Sequence, residues 1–211
     1  MTIRGRLIAF EGIDGCGKST QVRLLADRLG ARSTFEPGAT PLGGALRGLL
    51  LDGGAPVAER AEALLMAADR AQHVAEVVTP ALDSGEWVVT DRYAASTLAY
   101  QGYGRGLDLG QLRSLVDWAT GGLWPDLTVL LDLPVEVAAA RRHGGAVDRM
   151  EAEAVDFHQR VADGFLALAD DADGGPWLVV DATDTVDALA DQIWGAVVTL
   201  AGPDGPPRGS R

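Results

Sequence analysis

Several residue types are scarce in this 211-residue chain, and each scarcity narrows what the protein can be. There is one cysteine, Cys16, so no disulfide can form within the chain, and a reducing compartment is the simplest home. At 211 residues and 47% hydrophobic, the chain can bury a core without such a staple. No apolar run reaches the roughly eighteen residues of a membrane span. The stretch from Leu7 to Glu11 behind the N-terminal Met1–Arg6 is too short for the apolar part of a signal peptide. Asparagine is absent, and 17 of the 18 basic residues are arginine, leaving Lys18 as the single lysine. GC-rich coding bias explains a general use of Arg and a lack of Asn, but not where the one remaining lysine sits. Bases are also outnumbered, 18 against 30 acids, for a net charge of −12. A surface that acidic argues against a general nucleic-acid or membrane binder. Any anion must then be held by a local cluster of positive charge working against the overall field.

Five apolar runs alternate with helical patterns. Arg6–Phe10, Ser33–Phe35, Glu86–Thr90, Leu127–Leu131 and Trp177–Val180 read as strands. Lys18–Leu29, Leu42–Leu51, Ala58–Leu82, Asp108–Thr120, Val135–Arg142, Glu151–Ala169 and Thr185–Leu200 read as helices, several of them closed by glycine. That alternation predicts an α/β fold: a five-stranded parallel sheet covered by helices on both faces. No repeat, linker or heptad pattern divides the chain. The segment 202–211, GPDGPPRGSR, is predicted to be a disordered tail.

The strongest local signal is Gly12-Ile13-Asp14-Gly15-Cys16-Gly17-Lys18-Ser19, which matches G-x-x-x-x-G-K-[ST] between a buried strand and a helix. Glycines let successive backbone N–H groups turn inward around a phosphate, and the following helix adds its positive end. In such a loop Lys18 reaches the β- and γ-phosphates and the Ser19 hydroxyl can ligate Mg²⁺. Cys16 occupies a variable position and reads either as a small spacer or as a reactive thiol. The loop does not name a reaction. Guanine-reading switches usually carry Asn-Lys-x-Asp, which a chain with no Asn and one committed Lys cannot supply. ATP-driven machines usually carry further modules, so a small kinase fits better.

The residues beyond the loop resemble the thymidylate kinase family. Phe10-Glu11-Gly12 through Thr20 is similar to its phosphate loop, and Glu36-Pro37-Gly38 with Thr40 to its second signature. Asp91-Arg92-Tyr93, Ser96, Ala99-Tyr100-Gln101-Gly102 and Gly104-Arg105-Gly106 resemble its third, the most specific of the set. Pro125-Asp126-Leu127-Thr128 before Leu131-Asp132, and Asp148-Arg149-Met150-Glu151 with Phe157 and Arg160, resemble the remaining two. The likeness runs from about Arg6 to Leu200. It implies a three-layer α/β/α fold of the P-loop NTPase type, with a single nucleotide kinase domain over 1–201 and a lid segment at about 141–149. It also implies transfer of the γ-phosphoryl group of ATP to dTMP, Mg²⁺ as the metal, and a cytoplasmic homodimer with no nucleic-acid or membrane partner.

The resemblance also suggests roles residue by residue. Gly12, Ile13, Asp14, Gly15, Cys16, Gly17, Lys18, Ser19 and Thr20 would hold the ATP phosphates, with Arg141 joining from a helix end. Asp91 would help place the metal, through water, beside Ser19; an Asp there equally suits a helix N-cap. Arg92 and Arg70 would clamp the dTMP phosphate, since two planar guanidiniums fix a dianion better than a rotating ammonium. Arg70 could instead form a surface pair. Asp14 would meet the deoxyribose, with Tyr100 under the sugar. Glu36, Pro37, Met66, Ser96, Thr97 and Gln101 would line or hydrogen-bond the nucleotide, although the last three suit caps or core positions as well. The phosphoryl charge would be neutralised by a lid arginine, with Arg142 the candidate and Arg149 acting from the other side. Ala182-Thr183 falls where the family holds adenine.

Three departures stand out. Phe35 replaces the arginine that usually precedes Glu-Pro-Gly, Ala39 replaces a glycine, and Met66 stands where an aromatic usually stacks on thymine. They leave open a second acceptor class, another deoxynucleotide or pyrimidine monophosphate, and a catalytically weak nucleotide-binding protein. Because the chain uses arginine at every other basic site, Lys18→Arg tests whether the loop needs a slim ammonium. Phosphoryl transfer, followed by ADP release, is expected to fall on the order of a hundredfold or more.

Overall fold

The computed structural model describes residues 4–51, 56–141, 148–172 and 174–207. Five parallel strands, β1 (Leu7–Glu11), β2 (Arg32–Phe35), β3 (Val88–Asp91), β4 (Leu127–Asp132) and β5 (Trp177–Asp181), form one sheet in the order β2-β3-β1-β4-β5. The central strand β1, Leu-Ile-Ala-Phe-Glu, is buried along its whole length, as expected of a parallel strand covered on both faces. Its side chains part by alternation. Ile8 and Phe10 pack with Val22, Leu25, Val129, Leu131, Phe165 and Ile193 on one face. Leu7 and Ala9 pack with Val74, Val78, Leu82 and Val116 on the other. These two clusters are the inner seams of a three-layer α/β/α arrangement.

The helices are α1 (Lys18–Leu29), α2 (Pro41–Leu51), α3 (Glu59–His73), α4 (Thr79–Asp83), α5 (Ala94–Thr97), α6 (Leu109–Thr120), α7 (Val135–Arg141), α8 (Val155–Asp170) and α9 (Val186–Ala201). The single helix predicted over Ala58–Leu82 is interrupted by a π turn at Val74–Val78. Pro80 accounts for it. Its ring lacks an N–H and crowds the carbonyl four residues back, so the preceding turn widens and Thr79 N–H bonds Val74 O. No element was expected between Thr90 and Asp108, yet α5 runs there into a π segment, Leu98–Gly104. Nearly every residue from Tyr93 to Gly104 is buried, so no amphipathic period marks the stretch. The helix predicted from Glu151 begins at Val155, because Asp148 Oδ1 accepts both Met150 N and Glu151 N (2.8 Å each) and bends 148–151 into a turn. Of the predicted tail, Gly202–Asp204 forms a short 3₁₀ turn and 208–211 lie outside the described residues. Among the described residues no helix is long and apolar enough to cross a membrane.

The chain leaves β1 toward β3 and β2 on one side and toward β4 and β5 on the other, so a crevice opens at the carboxyl end of β1. Register brings the chemistry together there: Phe10 is level with Asp91, and Phe35 with the same Asp91. The Leu98–Gly104 segment closes this end by packing tightly on α8. A Cβ at Gly164 would lie 2.6 Å from the Tyr103 ring, and one at Gly104 2.6 Å from Phe157. Arg160 crosses the same seam, donating to Gly104 O from Nε (3.2 Å) and Nη2 (2.9 Å). Gly164→Ala should therefore destabilise the protein by about 1–3 kcal/mol through overpacking. The competing gain in helix propensity is about 1 kcal/mol. A fall in Tm marks the seam as close-packed, and a rise would mean it yields.

Candidate active site

The phosphate loop takes its shape from three glycines with left-handed backbone, Gly12 (φ 136°), Gly15 (φ 89°) and Gly17 (φ 98°). Space excludes a side chain at Gly12 as well, since a Cβ would meet Leu131 O at 2.6 Å. Lys18 opens α1 and is buried, its Nζ donating to Gly12 O (3.1 Å) and Ile13 O (3.0 Å). Cys16 is buried behind the loop, 3.7 Å from that ammonium, as a small filler. Beside Lys18, Ser19 Oγ donates to Asp91 Oδ2 at 2.7 Å. Asp91 thus turns its carboxylate to the loop, while the N-cap position of α5 falls to Tyr93. The hydroxyl–carboxylate pair offers hard oxygen donors of the kind Mg²⁺ takes. No cluster of three or more His, Cys, Asp or Glu side chains forms a protein cage among the described residues. The donors present therefore fit an ion that keeps phosphate oxygens and water in its shell. A cleft of about 1200 Å³ opens over this loop, with Thr20, Phe35 and Arg92 also in its walls.

A second cleft, about 620 Å³, adjoins the first. Asp14, Glu36, Pro37, Met66, Arg70, Arg92, Ser96, Thr97, Tyr100 and Gln101, the residues assigned by resemblance to the nucleotide acceptor, all line it. Asp14, Glu36, Arg47 and Arg92 wall both clefts. Arg92 is the hinge of this wall. Its backbone is left-handed (φ 71°), an uncommon and costly conformation for a residue with a side chain. From there Nη2 donates to Asp14 Oδ1 and to Tyr100 Oη (3.1 Å), and Nη1 to Gly12 O (3.1 Å) and Ser96 Oγ (3.2 Å). Burial pushes the Asp14 carboxyl up, but Arg92 and Lys18 outweigh it and hold the group well below its usual range. The Tyr100 ring lies under the Arg92 guanidinium at 5.0 Å and against Phe157 and Phe165.

Arg70 is not a surface pair. It is 2% exposed, and it donates to Glu36 Oε2, Thr97 Oγ1 and Tyr93 O, each at 2.8 Å. A guanidinium has five N–H groups, so two remain for the cleft that Arg70 lines. Glu36 receives its second bond from His73 Nδ1 (2.8 Å), whose other nitrogen lies 2.7 Å from Thr34 Oγ1. Arg149 is engaged away from the loop: Nη2 donates to Glu62 Oε2 (2.6 Å) and Nε to Leu50 O (2.7 Å). It lines neither cleft. Arg141 ends α7 and donates to Ala182 O at 3.0 Å, joining the two stretches assigned to ATP. Arg142 lies outside the described residues.

Sequence reasoning missed the layer beneath. Glu11, fully buried at the end of β1, accepts from Tyr93 N (2.9 Å), Ser96 N (3.1 Å) and Ser96 Oγ (2.6 Å), and so holds the start of α5. Glu62, also fully buried, accepts from Gln101, Arg105 and Arg149. Burial works against its ionisation, but those bonds prevail and its pKa is lowered. Asp69 Oδ1 accepts Gly38 N (3.0 Å); burial and the nearby Glu36 charge raise its pKa to about 6. The available signal was an acid at a strand end or on a helical face that turns inward, which periodicity alone scores as surface.

Sheet order, loop and paired clefts define a P-loop nucleotide-binding protein of the α/β/α class. The thymidylate kinase family model matches residues 10–193. A thymidylate kinase of Carboxydothermus hydrogenoformans is 54% identical over 175 residues, covering 80% of this chain and 86% of that protein. One from a Synechococcus species is 52% identical over 198 residues, covering 88% and 93%. The crystal structure of thymidylate kinase from Ehrlichia chaffeensis superposes with a TM-score of 0.70 at 32% identity, over 84% of this chain and 93% of that one. The chain belongs to the thymidylate kinase family.

Burial raises the Glu11 pKa from 4.5 to about 7, against the opposing pull of Ser96 and Arg92. The folded state therefore holds a proton that the unfolded chain releases near pH 4.5, and stability from this group falls as pH rises toward 7, by about 3 kcal/mol in all. Glu11→Gln removes the titration. Its Tm relative to the parent should rise from pH 5 toward pH 7 and level off by pH 8, and a pH-independent difference would contradict the assignment.

Proposed function

We infer that the chain is a dTMP kinase, transferring the γ-phosphoryl group of ATP to dTMP to give dTDP and ADP. One observation carries this reading beyond family membership: a phosphate-loop cleft and an arginine-lined cleft share Asp14, Glu36, Arg47 and Arg92 as a common wall. Phosphates bound in the two adjoining clefts would meet at the residues the clefts share, as in-line transfer requires. The acceptor phosphate oxygen bonds to the γ-phosphorus. The bond from that phosphorus to the bridging oxygen breaks, and the negative charge leaves on ADP. No base is required, because the acceptor is already ionised. Lys18 and the loop amides hold the β- and γ-phosphates. Ser19 and Asp91 would hold Mg²⁺, which supplies charge neutralisation when bound. Arg92 and the two uncommitted N–H groups of Arg70 take the dTMP phosphate, and Asp14 and Tyr100 meet the sugar. Arg142, in the lid segment, remains the proposed donor to the moving phosphoryl group, with Arg141 at the adenine side. Arg149 enters this reading through its bond to Glu62 rather than through the phosphates. A cytoplasmic homodimer without nucleic-acid or membrane partners completes the proposal, the acidic net charge of −12 supporting the last part.

Met66 lines the acceptor cleft where the family usually has an aromatic, so base preference is the point to measure. Coupled ADP release with dTMP, dUMP, dCMP, dGMP and thymidine should show the highest kcat/KM for dTMP and no transfer to thymidine. Equal use of the monophosphates would overturn the assignment.

A further inference from the structure

Glu62 lies outside the phosphate chemistry, yet it receives a large share of the polar order around the acceptor cleft. It stands four residues before Met66 and eight before Arg70 on α3, so the three share one helical face. At zero exposure its carboxylate accepts Gln101 Nε2 (2.8 Å) and Arg105 Nε (3.2 Å) on Oε1, and Arg105 Nη2 (3.1 Å) and Arg149 Nη2 (2.6 Å) on Oε2. Arg105 continues to Glu153 at 2.6 Å and to Met150 Sδ at 3.5 Å. Met150 and Gln101 are both cleft-lining residues, and Gln101 is 1% exposed.

A primary amide can present either of two faces, a carbonyl acceptor or an NH₂ donor, and the two have nearly the same shape. A buried carboxylate decides between them. It must receive a donor, since a carbonyl oxygen turned against it would be repelled and would leave a charged acceptor unpaired. One N–H of its NH₂ is committed to Glu62, so the amide is held in one orientation and Gln101 presents its carbonyl oxygen on the opposite edge. An imide N–H, as in thymine or uracil, satisfies that oxygen. The unprotonated N3 of cytosine would face it lone pair to lone pair.

We propose that Glu62 is a positioning residue for base selection: it fixes the Gln101 amide as a hydrogen-bond acceptor, so that the cleft takes a pyrimidine with an imide N–H and rejects cytosine. This rests on the dTMP kinase reading. Glu62→Gln keeps the side-chain length but can itself donate or accept, which frees Gln101 to flip.

The test compares kcat/KM for dTMP, dUMP and dCMP in parent and variant, with dTMP binding by calorimetry and a melting curve for folding. The dTMP-over-dCMP preference should narrow about tenfold or more, through KM, while kcat for dTMP changes little. The dTMP-to-dUMP ratio should stay within twofold, because both bases carry the same imide edge. General loosening of the cleft would move both ratios together, and that result overturns the proposal, as does an unchanged dTMP-over-dCMP preference in a folded variant. If Glu62→Gln does not fold, Gln101→Ala carries the test: loss of the same preference supports the proposal, and its retention overturns it. A parent that does not phosphorylate dTMP overturns the functional reading and this inference with it. A parent that does, alongside a variant with intact preference, overturns the inference alone.

Discussion

The site depends on Arg92 being held in one place. Its backbone occupies the left-handed region at the end of β3, and its side chain spans from the loop carbonyl of Gly12 to the hydroxyls of Ser96 and Tyr100, with Asp14 as counter-charge. A non-glycine residue stays in that conformation only when its surroundings over-determine it. Here they do: Arg92 N bonds Phe10 O (2.9 Å), its carbonyl accepts Thr90 Oγ1 (2.9 Å), and Glu11 ties down the next turn through Tyr93 and Ser96. Moving any of these would shift the wall common to both clefts.

The same logic explains how a chain of net charge −12 can serve anions. Two arginines of the acceptor cleft are each paired with an acid in the same wall, Arg70 with Glu36 and Arg92 with Asp14. Buried ion pairs are poor sources of stability, because desolvation offsets most of their attraction. What they supply here is direction. Each acid takes some of a guanidinium's five N–H groups and so determines which remain for a ligand.

Much of this was legible in the sequence where a local rule sufficed. The phosphate loop was readable because its glycines, its lysine and the flanking strand and helix follow one another without a gap. The parallel sheet was readable because β1 and β4 are continuous apolar runs. The helical form of 94–104 was not, since a helix buried on every side has no polar stripe; its Ser96, Thr97 and Gln101 were singled out by the family resemblance alone, and suited caps or core positions as well. Glu11 and Glu62 were equally opaque. An acid earns its buried position only through partners 39 to 87 residues away in the chain, and no window of sequence contains both.

The departure at Phe35 shows why motif differences need the structure. An arginine before Glu36 would be a neighbour of that carboxylate, and its loss suggests an unbalanced charge. In the fold Glu36 already has a charge-bearing or hydrogen-bonding partner on each oxygen, Arg70 on Oε2 and His73 on Oε1. Glu36 is therefore not left without a counter-charge by the lack of an arginine at position 35. Phe35 instead stands 45% exposed in the wall of the phosphate-loop cleft, with a ring edge 3.3 Å from where a Gly38 side chain would begin. The position contributes shape to the donor side while Arg70 and His73 keep the acceptor side in order. Balance at Glu36 therefore belongs to α3, and the strand-end residue next to it is free to vary.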